Sequence, residues 1–224
     1  MKKIIMSLLV AASMSAPALA DPKLTKGYYT MDSMGCMLLR ECTDGVTKVE
    51  SISTIANVHP NSNYDIIADE FHAMLLALEQ IGVNVFLADE EYFPVGHRGV
   101  YHTVGNNFFL NKTFMRLPRV LMSVMRHEGW HAAQDCMAGT IDNSMIAIIM
   151  DEEKVPQLWQ DMATDTYKNT PHAIPWEKEA TWAGKTEGMT AEALESCARG
   201  TMWSDYEPTP MTREWLVKNG YLDK

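Results

Sequence analysis

Residues 118–137 read PRVLMSVMRHEGWHAAQDCM, and the reading of this stretch decides the fold. Pro118 suits the first turn of a helix, where its missing N–H costs nothing, and Leu121, Met122 and Met125 continue one apolar face. Gly139 stands where a C-cap is needed. The spacing predicts one helix over residues 118–137, about five turns at 3.6 residues per turn. Inside it lies His127-Glu128-Gly129-Trp130-His131, an HExxH sequence. Two histidines four residues apart differ by about 40° around a helix at ~100° per residue, so both rings turn toward one point. That pair suits Zn²⁺, which takes neutral imidazole. Glu128 adjoins it on the same face, where a carboxylate can accept a proton from an activated water. Chance would put HExxH into only ~1.5% of chains of this composition, so the motif outweighs the reading of two surface histidines.

Outward from this helix the pattern is mixed. Upstream, Ile66, Ile67, Phe71, Met74, Leu75 and Leu78 recur at helical spacing between Tyr64 and Ile81, and Gly82 ends the run. Residues 82–88 (GVNVFLA) predict a strand, and residues 99–110 (GVYHTVGNNFFL) predict another with a turn at Gly105-Asn106. Residues 27–58 read as short strands or irregular structure. Downstream, helices are expected over 143–150, 156–166, 175–183, 191–199 and 212–218. The expected class is α+β, with a small sheet and a mostly helical C-terminal half.

A catalytic zinc site needs a third protein ligand and keeps its fourth position open. Residues 174–183 (IPWEKEATWA) offer Glu177 and Glu179 on a proline-opened helix. The two lie about 200° apart around that helix, so only one can face the histidines. HEGWH on one helix, answered by Glu-x-x-Ala on another, resembles the zincin superfamily of zinc metallopeptidases and, within it, the glutamate-liganded gluzincins. The resemblance spans residues 82–185 and implies a zincin-like metallopeptidase domain with Zn²⁺ held by His127, His131 and Glu177. Ala180 then falls on the small packing position of the downstream motif. Thr181 stands where the family often has Asp or Asn, which leaves Glu179 as the competing ligand. The resemblance also implies Glu128 as the catalytic base and residues 99–110 as an edge strand along which a peptide or protein substrate lies.

The N-terminus carries Lys2 and Lys3, an apolar stretch from Ile4 to about Ala12, and Ala18-Leu19-Ala20. These are the parts of a secretory signal peptide, with cleavage expected after Ala20. A membrane anchor is disfavoured, because the apolar run falls short of the roughly 20 residues that span a bilayer. Residues 21–224 are then one domain, secreted or periplasmic. Hydrophobic residues make up 46% of the chain and charged residues 21%, which suits a globular core and not a disordered tail. Loss of Lys2 and Lys3 moves the net charge from −10 to −12. Such a balance argues against nucleic-acid binding and against stable membrane association. No motif specifies an oligomeric state.

Export makes four cysteines a disulfide framework. Of the three pairings, Cys36 with Cys42 and Cys136 with Cys197 is preferred, since the first two close one small loop. Cys136, nine residues past His127, also points about 180° away from it. A four-cysteine zinc knuckle is disfavoured, because no C-x₂-C pair occurs.

Around the motif, Gln134 returns to the histidine face and is a candidate to orient a ligand. Asp135 has the same option, although an acid late in a helix is more often exposed. Oxyanion stabilisation would need a donor such as Tyr167, His172, His97, Tyr101 or His102, with Tyr167 favoured. The methionines read as core packing and not as copper ligands. Asp89-Glu90-Glu91 and Glu152-Glu153 read as solvated loops, and Asn111-Lys112-Thr113 as a glycosylation sequon. The leading expectation is zinc-dependent peptide hydrolysis. The alternative is a non-catalytic binding domain on a zincin scaffold, with a structural or degenerate metal site.

Overall fold

A computed structural model describes residues 31–139, 141 and 145–220. The signal peptide expected over residues 1–20 lies outside them. The chain is α+β. Helices α1 (Met31–Leu38), α2 (Ile52–Val58) and α3 (Ala68–Gln80) are interleaved with strands β1 (Val46–Lys48) and β2 (Asn84–Ala88). Then come β3 (Gly99–His102), β4 (Asn107–Asn111) and α4 (Pro118–Met137), followed by α5 (Gln157–Thr166), α6 (Ile174–Ala183), α7 (Met189–Arg199), α8 (Met202–Asp205) and α9 (Arg213–Lys218).

The sheet has the order β1-β2-β4-β3. β1 is antiparallel to β2, β2 is parallel to β4, and β4 is antiparallel to β3. Alternation along the two central strands explains their unbroken apolar sequence. Val85, Leu87, Phe108 and Leu110 enter the main core beneath α3, α4 and α7, while Phe86, Ala88 and Phe109 join a smaller core with Met34, Met37, Tyr92 and Phe93. A sheet covered on both faces selects side chains of this kind at every position.

Two sequence expectations are corrected. Residues 31–38 and 52–58 form helices α1 and α2, not strands or irregular structure. Met34 and Met37 sit at helical spacing and dock on the outer face of the sheet. The helix expected over 143–150 is not formed by the described residues 145–150. Their backbone is used elsewhere, with the Ala147 N–H donating to the Gln134 carbonyl and the Ile149 and Met150 N–H groups to the Glu179 carboxylate.

Both expected disulfides are present. Cys36–Cys42 closes the turn after α1, and Cys136–Cys197 ties α4 to α7. They suit an oxidising compartment. Among the described residues, no helix is long and apolar enough to cross a membrane.

Gly129 lets α4 come close to α3 and α7. A Cβ there would meet Thr190 Cγ2 at 3.0 Å and Met74 Cε at 3.1 Å. The second x of HExxH, Trp130, is wholly buried in the main core. The motif is therefore anchored through its two middle residues while its histidines face outward.

Candidate metal centre

Helix α4 carries His127 and His131 one turn apart, with ring centroids 5.0 Å from each other. Helix α6 packs beside α4 and brings Glu177 in its first turn to both rings. His127 Nε2 lies 3.2 Å from Glu177 Oε2, and His131 Nε2 lies 3.5 Å from Glu177 Oε1. One ligand atom from each of the three residues fits within a 4.8 Å span. Their side chains are 19%, 12% and 13% exposed in chain order, so the cluster is recessed yet reachable.

The donor set fits a divalent metal on chemical grounds. Two imidazole nitrogens and a carboxylate form a three-ligand set with room for a further ligand. Glu177 Oε2 is buried and meets no aligned hydrogen-bond donor, although His127 Nε2 is near. A cation shared by these atoms would satisfy that oxygen.

Glu179 points elsewhere, as two carboxylates about 200° apart on a helix must. It is buried and accepts from Trp130 Nε1 at 3.1 Å, Gln134 Nε2 at 2.8 Å, the Ile149 N–H at 3.2 Å and the Met150 N–H. Glu177 is thus the glutamate that reaches the histidines, and Glu179 is a structural acceptor.

Glu128 is buried on α4 beside the cluster, next to β3. Burial raises its carboxyl pKa, the Glu177 charge adds to the rise, and His127, His131 and a hydrogen bond from the Tyr101 N–H oppose it. The β3 backbone is therefore turned toward Glu128 along the free edge of the sheet. Gly99 makes the approach possible, since a Cβ there would stand 2.6 Å from Val124 Cγ1.

The other candidates separate clearly. Tyr167, at the end of α5, stands beside the Glu177 carboxylate. Burial first, and then the Glu177 and Glu128 charges, push its hydroxyl pKa far up, so it remains a donor. Tyr101 gives its hydroxyl to Asp135 Oδ2 at 2.8 Å. Asp135 is wholly buried, against the expectation of exposure, because Tyr101 ties β3 to α4 through it. Burial lowers the pKa of His102, with the Leu38 backbone beside it opposing the shift. His97 and His172 are exposed.

Gln134 accepts a hydrogen bond from His131 Nδ1 at 2.8 Å. Asn111, of the sequon, is buried and donates to the His97 carbonyl, so a glycan has no access to it in the folded chain. Sequence reasoning missed the use of Glu179 as a multiple acceptor and the Tyr101 N–H contact to Glu128. No local pattern signals either, because both depend on distant backbone.

The chain matches no protein-family model, no curated protein and no solved structure. The site's own geometry carries the functional reading.

Proposed function

We propose that the protein is an exported zinc metallopeptidase of the gluzincin-like zincin type. The observation that carries this reading is the meeting of His127, His131 and Glu177 beside a buried Glu128 and the free edge of β3. His127, His131 and Glu177 would hold the ion. Bound Zn²⁺ would supply Lewis acidity, polarising a carbonyl and making water a nucleophile near neutral pH.

The remaining chemistry belongs to side chains of this chain. Glu128 takes the proton of the attacking water and returns it to the leaving amine. In the metal-free protein burial raises its carboxyl pKa. A peptide substrate adds as a strand along β3, where backbone hydrogen bonds orient it across Glu128. The Tyr167 hydroxyl, kept protonated beside the Glu177 carboxylate, is the group that would donate to a developing oxyanion.

The test is Glu128→Gln. Hydrolysis of a peptide library should fall by at least ~100-fold, the scale of general-base catalysis, while zinc content and melting temperature stay unchanged. Zinc-loaded wild type that cleaves no peptide would overturn the peptidase reading and favour the binding-domain alternative.

A further inference from the structure

The side-chain amide of Gln134 has only one workable orientation. Its Nε2 donates to Glu179 Oε2 at 2.8 Å and to the Trp176 carbonyl at 3.1 Å. Both partners accept in this arrangement, so the NH₂ group must face them and the Oε1 must face the other way. His131 Nδ1 lies there, 2.8 Å from Oε1. An amide oxygen cannot donate, so Nδ1 has to carry a proton. In the neutral imidazole that a metal takes, this is the single N–H, which leaves the lone pair on Nε2, the atom that faces Glu177.

Glu179 in turn cannot rotate away. Three donors converge on its Oε2, from Trp130, Gln134 and Ile149, and the Met150 N–H meets its Oε1. Glu179 is 1% exposed and Gln134 is wholly buried, so bulk water does not compete for these bonds. The donors come from α4 and from the segment before α5, which makes the acceptor a junction of three parts of the fold.

We infer that Gln134 is a positioning residue that locks His131 in the Nδ1–H tautomer with Nε2 presented to a metal, and that Glu179 fixes the amide that does so. The inference rests on the reading of His127, His131 and Glu177 as a metal centre. It differs from a purely structural role in one respect. Breaking the bond to His131 must weaken metal binding beyond any general loosening of the fold.

The test compares Gln134→Met with Trp130→Phe in purified, oxidised protein, measuring Zn²⁺ affinity by chelator competition and metal-free melting temperature. Both variants remove one donor from Glu179, but only Gln134→Met removes the acceptor of His131. Zinc binding should weaken ~10- to 100-fold in Gln134→Met, the range of second-sphere changes, and less than threefold in Trp130→Phe. Nitrogen-15 spectra of the zinc-loaded wild type should show the His131 proton on Nδ1. Equal zinc affinity in wild type and Gln134→Met, equal weakening in both variants, or a proton on Nε2 would overturn the lock alone. A wild type that takes up no zinc would overturn the metal centre beneath it.

Discussion

Gly99 of β3 faces Glu128 of α4 so closely that a Cβ built on it would stand 3.1 Å from the Glu128 Cγ. The same Cβ would overlap Val124 at 2.6 Å. The edge strand and the HExxH helix are in contact through a residue with no side chain, and the Tyr101 N–H reaches Glu128 across that contact.

Gly99→Ala should therefore force β3 and α4 apart, because a Cβ 2.6 Å from Val124 Cγ1 cannot be held without a shift of the strand, Val124 or Glu128. Overpacking of this kind costs about 1–3 kcal/mol. Peptide turnover should fall by ~10-fold or more, because misplacing a catalytic group is expensive, with zinc content unchanged. Steady-state kinetics and metal analysis check this, and an unaltered kcat would separate Gly99 from the chemistry.

The two glutamates of α6 should fail in different ways. Glu179→Leu removes the shared acceptor of four donors and leaves at least the Trp130, Ile149 and Met150 N–H groups without one, which should lower the melting temperature by roughly 10 °C. Glu177→Gln should keep the fold and lose the zinc. Calorimetry with metal analysis on both variants separates the roles, and the reverse pattern would exchange them.

In the metal-free protein, burial works against a charged His131. The Glu177 hydrogen bond and charge, with Glu128 and Gln134, outweigh it and raise the pKa from 6.5 to about 9. Burial likewise works to raise Glu177, but His127 and His131 hold it well below its usual 4.5. The His131 contribution to stability is complete below pH 6.5 and is lost as pH rises through about 9. The Glu177 contribution is present above pH 4.5 and is lost as pH falls through its depressed value. Chelated protein should melt highest between pH 4.5 and 6.5 and lose several degrees toward the alkaline side. Zinc should remove that alkaline loss, because it displaces the proton. A flat alkaline profile without metal would contradict the ion pair.

The disulfides should contribute unequally. Cys136–Cys197 spans 61 residues and Cys36–Cys42 only 6, so chain entropy assigns about 4 kcal/mol to the first and about 2 kcal/mol to the second. Paired Cys→Ser variants should rank in that order by urea denaturation.

The site's first layer was legible because HExxH is local. Helical geometry alone turns His127 and His131 together, and the structure has α4 over the expected residues 118–137. Local rules left Glu177 and Glu179 open, and the packing of α6 on α4 separates them. Asp135 and Glu179 were not legible as buried acceptors, since their donors, Tyr101 and the 149–150 backbone, come from distant segments. The same long-range bonds hold residues 145–150 out of the helix that their apolar sequence suggests. In α1, Gly35 and the Gly- and Thr-containing stretch after the helix masked the spacing of Met34 and Met37.

The central claim is that His127, His131 and Glu177 form a zinc site. Its most direct test is the zinc content per chain, by elemental mass spectrometry, of oxidised protein purified without an affinity metal. One zinc per wild-type chain, and none in His131→Ala at equal folding, is the expected result. A folded wild type that holds no zinc, even when zinc is supplied at neutral pH, would contradict it.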